Sequence, residues 1–151
     1  MAFPSFLSLQ QNTRDSAHNA QETNVKDCPT VFVATSKRFY QEAEQVVGRL
    51  RDCGLMVFHP YFHLDPVVID SDPDRKSEVT LRHFQEIDGS DMLFAILPGG
   101  YIGCSVTIEV TYAYSRGKKI VASEVPSEYA VRPMITMIRT ADDFIAQFRA
   151  K

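Results

Sequence analysis

Short apolar runs alternate with amphipathic segments along most of the chain. Five of these runs are rich in β-branched and aromatic residues and are short enough to be strands. They cover residues 30–35, 55–59, 91–97, 119–123 and 134–139. The runs are nearly continuous rather than alternating with polar residues, which is typical of strands whose two faces are both covered.

Amphipathic segments separate and follow these strands. Apolar residues recur there at helical spacing, which predicts helices over residues 38–53, 77–87, 105–116 and 141–150. Gly54 and Gly117 follow two of them, as glycines often follow the last residue of a helix. Residues 64–74 are rich in proline and aspartate, and we predict a loop there.

Strands that alternate with helices predict parallel pairing, because each helix serves as the crossover between two strands. We therefore predict an α/β fold with a single doubly wound, five-stranded parallel sheet, flavodoxin-like, with helices on both faces. Ligands of such sheets bind beyond the carboxyl ends of the strands, where the strand order reverses. For the order 2-1-3-4-5 that point lies between strands 1 and 3.

The first residues differ from the rest. Between residues 10 and 27 the chain is polar and almost without core residues, so we predict a flexible N-terminal arm over 1–28 and one domain over 29–151. Three cysteines, Cys28, Cys53 and Cys104, have spacings that suggest neither a disulfide framework nor a zinc site. Free thiols indicate a reducing compartment, and we expect the protein to be cytoplasmic.

Charge and hydropathy limit the classes of partner that the protein is expected to bind. Lysine and arginine number 16 against 19 aspartates and glutamates, which gives a net charge of −3. A nucleic-acid polymer needs a basic face, so we expect none as a partner. No run approaches the roughly 20 apolar residues of a membrane span, so we expect no membrane partner either. A small-molecule ligand remains.

Two loops at the predicted switch point have suitable chemistry. Thr35, Ser36, Lys37 and Arg38 offer hydroxyls, two cations and a helix N-terminus, a natural seat for a phosphate. The segment 98–105 holds three glycines that allow a ligand to approach the backbone closely. The alternative is that these residues have no binding role, with the cations solvated and the glycines only forming a turn. Neither a GxGxxG nor a GxxxxGK[ST] pattern is present.

Glu109 follows the glycine loop, about one turn into the helix predicted to start at an N-cap Ser105. The helix dipole there favours a charged carboxylate at pH 7. A nucleophile, or an anion that stabilises a sugar cation, needs that state. Glutamate is also common near helix N-termini for no functional reason, so the residue alone does not decide between these interpretations.

The segment 103–121 resembles the nucleoside 2-deoxyribosyltransferase family, including its nucleoside 5′-monophosphate N-hydrolase relatives. The matching positions are Glu109, Ala113, Gly117-Lys118 and Ile120-Val121. The step Gly89-Ser90-Asp91 before the third strand and the ending after residue 134 match as well. The resemblance covers residues 30 to about 149.

The resemblance implies cleavage or transfer at the N-glycosidic bond of a nucleoside or nucleotide, with Glu109 as the nucleophile. Counting eight residues back from Asp91, as the family pattern suggests, gives His83 as a proton donor to the departing base; it can equally be a helix-surface residue. The expected substrate-binding residues are Thr35, Ser36, Lys37, Arg38, His59, Gly100, Gly103 and Ser105.

The segment 59–63 follows the second strand at the same end of the sheet. Tyr61 and Phe62 can stack on a base or simply pack over the sheet edge. His59 and His63 lack a third metal ligand, and we expect no metal and no cofactor. The family also implies a homo-oligomer, a dimer or larger, for which Tyr112 and Tyr114 are candidate interface residues.

Several positions depart from the family pattern. Thr111 stands where the family has glycine, Tyr101 opens the glycine loop in place of aspartate, and Phe32 replaces a tyrosine of the first strand. These changes leave an alternative open, a non-catalytic nucleotide-binding or sensor domain on the same fold. A phosphorylated signalling receiver is disfavoured, because the third strand ends in Ile96-Leu97-Pro98 without an aspartate.

Overall fold

The computed structural model describes residues 28–149, so the predicted N-terminal arm lies outside the described residues apart from Cys28. Five strands form one sheet in the order β2-β1-β3-β4-β5, and every neighbouring pair is parallel. The strands are β1 (Thr30–Thr35), β2 (Met56–Phe58), β3 (Met92–Ile96), β4 (Lys119–Ala122) and β5 (Met137–Ile138). The predicted flavodoxin-like sheet and its strand order are confirmed.

Within residues 28–149 there are five α-helices. They are α1 (Tyr40–Asp52), α2 (Pro66–Ser71), α3 (Pro73–Asp88), α4 (Cys104–Ser115) and α5 (Ala141–Arg149). Of these, α1, α3, α4 and α5 cover the two faces of the sheet, and α2 packs against α3. Short 3₁₀ turns occupy Lys37–Phe39, Pro98–Gly100 and Arg132–Met134. Within residues 28–149, none of these helices combines the length and the apolar character that crossing a bilayer requires.

Successive strand side chains point to opposite faces, and this alternation divides the core in two. Val31, Val33 and Phe94 pack under α1 and α5. Phe32 and Leu93, one residue out of phase with them, pack under α3 and α4. Both halves are fully buried, which explains why the strands are continuously apolar.

The loop predicted over residues 64–74 is wrong. The segment forms α2 and the first turn of α3, because each of its two Asp-Pro pairs starts a helix. The Asp65 carboxylate accepts a hydrogen bond from the backbone N–H of Val67 at 2.9 Å. Asp72 accepts from the N–H groups of Asp74 and Arg75, both at 3.1 Å. A proline follows each cap at the first helical position, where its missing N–H costs nothing.

The fifth strand is much shorter than the predicted span 134–139. Met134 belongs to a 3₁₀ turn, and the Thr136 side-chain hydroxyl accepts the hydrogen bond from the N–H of Ile120 at 3.1 Å. The side-chain hydroxyl of Thr136 therefore takes the place of a backbone carbonyl as the partner of Ile120. Regular pairing between β4 and β5 begins only at Met137.

Gly100 fixes the loop between β3 and α4 against the segment after β4. Its φ is +73°, and a Cβ placed there would lie 2.5 Å from the carbonyl oxygen of Val125. Its own carbonyl accepts a hydrogen bond from the N–H of Ser127 at 2.8 Å. Both the backbone conformation and the close approach require glycine.

We expect Gly100→Ala to lower the free energy of unfolding by about 1–3 kcal/mol, because the new Cβ is strained and clashes with backbone. Gly48→Ala, at an exposed position of α1 with open space around it, should raise it by about 0.5–1 kcal/mol. Urea unfolding of both variants measures the two changes. Equal effects would contradict the role assigned to Gly100.

Candidate active site

A cavity of about 470 Å³ lies where β1 ends and α4 begins. This is the predicted switch point beside β1 and β3. Seven of the ten predicted site residues line the cavity, namely Thr35, Ser36, Lys37, His83, Gly103, Ser105 and Glu109. Arg38, His59 and Gly100 do not belong to its lining.

A buried acid–imidazole pair forms part of the cavity wall. The Nδ1 atom of His83 lies 2.7 Å from Oε1 of Glu109, and the residues are 7% and 4% exposed. With the carboxylate ionised, Nδ1 carries the proton and donates it, because a carboxylate can only accept. Among the described residues, neither Nε2 of His83 nor Oε2 of Glu109 has a hydrogen-bond partner. Each group thus has one buried polar atom whose hydrogen-bonding capacity is unused.

Helical periodicity explains how two distant residues meet. Glu109 lies on the buried stripe of α4 with Val106, Val110 and Ala113, and His83 lies one turn before the buried Ile87 on α3. Both helices pack on the same face of the sheet. Each stripe is thus apolar except at the one position that faces the other helix.

Aromatic rings hold the imidazole of His83 in place. The ring of Tyr61 stacks against it with centroids 5.5 Å apart, and the ring of Phe32 meets it edge-on at the same distance. The Tyr61 hydroxyl donates to Oε1 of Glu86 at 2.8 Å. His83 is therefore restrained by contacts on several sides as well as by its hydrogen bond.

Burial raises the pKa of the Glu109 carboxyl, and the hydrogen bond from His83 opposes that rise. The prediction that the helix dipole favours the charged form is not supported by the position of the residue. Gly103, not Ser105, is the N-cap, and α4 begins at Cys104, so Glu109 lies in the second turn, beyond the reach of the dipole. The neighbouring histidine favours ionisation instead.

The two cationic side chains of the loop after β1 contact different partners. Lys37 lines the cavity and forms an ion pair with Asp70 of α2. The Arg38 guanidinium lies over the ring of Tyr101, 4.3 Å from its centroid. Ser36 lies close to Gly103, since a Cβ on that glycine would be 3.7 Å from the serine hydroxyl. Thr35, Ser36 and Lys37 thus line the cavity, whereas Arg38 is the part of the predicted phosphate seat that does not.

In the segment after β2, too, only some of the residues line the cavity. His59 stacks on Phe62 with ring centroids 4.6 Å apart, its Nδ1 lies 2.6 Å from the carbonyl oxygen of Pro60, and Phe62 packs against the core. Tyr61, in contrast, lines the cavity. Gly100 is buried against the segment after β4. No three His, Cys, Asp or Glu side chains within residues 28–149 form a group that could hold a metal ion.

Sequence reasoning missed four polar residues of the cavity, Tyr40, Asp70, Lys76 and Thr80. Tyr40 starts α1, and burial together with the charges of Glu109 and Asp70 raises the pKa of its hydroxyl to about 12. Asp70 and Lys76 lie on α2 and α3, within or just after the segment that was predicted to be a loop. The N-caps Asp65 and Asp72 are the pattern that indicates this helical arrangement.

No protein-family model matches the chain, and no curated protein matches its sequence. Solved structures share its fold. A conserved protein from Enterococcus faecalis V583 has a TM-score of 0.61 and 14% identity, over 81% of this chain and 98% of that one. A 2-deoxyribosyltransferase of Bacillus psychrosaccharolyticus has a TM-score of 0.54 and 20% identity, over 79% and 95%. The CMP N-glycosidase of Clostridium botulinum has a TM-score of 0.51 and 18% identity, over 81% and 99%.

We expect Glu109→Gln to raise the free energy of unfolding at pH 7 by about 0.5–2 kcal/mol, because a buried ionisable group is replaced by a neutral one of the same shape. The folded-state pKa of Glu109 lies above its ordinary value of 4.5. As pH rises past 4.5, the unfolded chain loses this proton first, and stability falls until the folded-state pKa is passed.

The gain from Glu109→Gln should therefore be small below pH 4 and largest at neutral pH. Urea unfolding at several pH values measures it. Glu44→Gln, at an exposed position of α1, is the matched control and should show no such gain. A Glu109→Gln variant that is less stable than the parent at pH 7 would show that the charged form is the favoured one.

Proposed function

We propose that the chain is a member of the nucleoside 2-deoxyribosyltransferase family and acts on the N-glycosidic bond of a nucleoside or nucleoside 5′-monophosphate, with Glu109 as the nucleophile. The observation that carries this proposal is the buried Glu109–His83 pair in the wall of a cavity at the carboxyl ends of β1 and β3. Two solved structures with this fold are a 2-deoxyribosyltransferase and a CMP N-glycosidase.

The proposed first step uses the oxygen of Glu109 that His83 leaves free. Oε2 supplies an electron pair to the anomeric carbon of the sugar, and the bond from that carbon to the base nitrogen breaks with its electrons going to the base. The product is a glycosyl ester on Glu109. Water or a second base then attacks the same carbon and gives its proton to the neutral imidazole of His83, while the bond from that carbon to Oε2 breaks and the Glu109 carboxylate is released.

The departing base needs a proton, because an anionic base is a poor leaving group. His83 lies next to the nucleophile and has a free Nε2 atom. A protonated imidazole can donate from Nε2 to the base while Nδ1 keeps its hydrogen bond to Glu109. One residue would thus orient the nucleophile and assist the leaving group.

The cavity has a suitable size and lining for such a substrate. Its volume falls within the range of about 300–1,000 Å³ typical of small-molecule sites. Gly103 and Ser105, at the start of α4, offer close access to backbone and a hydroxyl beside the nucleophile. Thr35 lines the cavity too, although its hydroxyl donates to the carbonyl oxygen of Ile96 at 3.1 Å.

We also propose a homo-oligomer. Of the two tyrosines considered as interface residues, Tyr114 is 56% exposed. Tyr112 is engaged within its own chain, since its ring stacks on Phe84 at 4.1 Å and its hydroxyl donates to Asp88 at 2.8 Å. Tyr114 is therefore the better candidate of the two.

We expect Glu109→Ala to lower base release by roughly 10³-fold or more, because no other nucleophile replaces the carboxylate. Chromatography of free bases after incubation with a panel of nucleosides and 5′-monophosphates, each with and without a second base, measures this loss. Glu44→Gln should keep full activity. Ligand binding by the parent protein without turnover of any substrate would instead indicate the non-catalytic nucleotide-binding domain.

We expect His83→Gln to lower turnover of an ordinary guanine nucleoside or nucleotide by about 10²–10⁴-fold, because the leaving group loses its proton donor. The 7-methylguanine analogue already carries a positive charge and leaves without protonation, so its turnover should fall far less. The loss in kcat for each of the two substrates distinguishes proton donation by His83 from orientation of Glu109. Equal losses would mean that His83 acts only by orienting Glu109.

A further inference from the structure

Asp70 of α2 joins two lysines on the wall of the same cavity. Its carboxylate pairs with the ammonium group of Lys37 through one oxygen and with that of Lys76 through the other, the second contact measuring 2.9 Å. The three residues come from the turn after β1, from α2 and from α3. All three line the cavity that contains Glu109.

Two ion pairs elsewhere on the described chain join a single acid to a single arginine at its surface. Arg49 pairs with Asp142 between α1 and α5, and Arg116 pairs with Asp88 between α4 and α3. Neither of these pairs lines the cavity. Two ammonium groups that converge on one anion in the wall of a cavity are an arrangement that can bind a phosphoryl group.

The charges of this cluster act on the site. Burial raises the pKa of Glu109, and the charge of Lys76 opposes that rise. Burial also raises the pKa of Tyr40, and the charge of Asp70 adds to it, so Lys76 and Asp70 both lie within electrostatic range of residues that line the cavity. Hydrogen bonds from Lys37 and Lys76 lower the pKa of Asp70, which is therefore an anion at neutral pH.

We propose that Lys37 and Lys76 form a phosphate subsite of the cavity, that Asp70 occupies this subsite when no ligand is bound, and that the phosphoryl group of a sugar phosphate displaces Asp70. The sugar part of this ligand rests on the proposed function, whereas the anion subsite does not. The side chains of Lys37, Lys76 and Asp70 are 51%, 44% and 37% exposed, so they can exchange partners without unfolding the core.

A phosphate monoester is the better partner for two lysines. It carries a charge of about −1.5 to −2 at pH 7 and three accepting oxygens, compared with one charge and two oxygens on Asp70. A nucleoside without phosphate would leave Asp70 in place and gain nothing from the lysines. The cluster would thus favour phosphorylated ligands, and the returning Asp70 would help to release a phosphorylated product.

The test measures binding of ribose 5-phosphate, ribose and inorganic phosphate by isothermal titration calorimetry at fixed ionic strength. Lys37→Gln and Lys76→Gln should each weaken binding of both phosphates by about tenfold. Asp70→Asn should tighten both by about three- to tenfold, because it removes the internal competitor. Binding of ribose should stay unchanged in all three variants.

Matched controls exclude general charge effects. Lys119→Gln, at the exposed amino end of β4, and Asp142→Asn, which breaks the Arg49 ion pair, should alter phosphate binding by less than twofold. Thermal unfolding of every variant verifies folding. No phosphate binding by either the parent or Asp70→Asn would overturn the proposal, as would weaker binding in Asp70→Asn, which would mean that Asp70 only positions the lysines.

The same data distinguish this proposal from the proposed function. Inorganic phosphate that follows the expected pattern, with ribose 5-phosphate binding no more tightly than phosphate alone, would support the anion subsite and argue against a sugar site beside it. Base release that depends on Glu109 but is unaffected by the lysine variants, with phosphate binding also unaffected, would support the enzyme and overturn the subsite.

Discussion

Burying one carboxylate between two helices costs free energy, and the hydrogen bond from His83 to Glu109 is the interaction that offsets part of this cost. The rest of the site depends on it. The bond occupies Oε1 of Glu109. Among the described residues, Oε2 has no hydrogen-bond partner. The bond also couples α3 to α4, so that the wall of the cavity is held by the same contact that sets the charge of the proposed nucleophile.

The parallel sheet supplies the frame for this contact. Crossover helices α3 and α4 flank β3 in the chain and lie on one face, which brings the two residues together although 26 positions separate them. The carboxyl ends of β1 and β3 then open the cavity beside the pair. Aromatic rings of Tyr61 and Phe32 close the imidazole in, so that its orientation is set by packing before any ligand arrives.

Much of the architecture follows from local pattern. Continuous β-branched runs predict the strands, and their alternation with amphipathic segments predicts the parallel order. The prediction for segment 64–74 fails because its Asp-Pro pairs can start a helix as well as a loop. Only the hydrogen bonds from backbone N–H groups to the carboxylates of Asp65 and Asp72 distinguish the two. Asp70 and Lys76 were missed with that segment. Tertiary contacts decide other cases, since Arg38 lies over the ring of Tyr101 and His59 stacks on Phe62, and neither of the two cavity candidates belongs to the cavity lining. No sequence spacing encodes such aromatic neighbours.

The two outer strands are much shorter than the central ones. Within residues 28–149, β2 contributes three residues and β5 only two to the edges of the sheet. A strand from another molecule would find too few exposed backbone donors and acceptors there to extend the ladder. These two edges therefore offer little backbone for edge-to-edge pairing with another copy of the protein. Short edges thus protect a highly apolar sheet from amyloid-like growth.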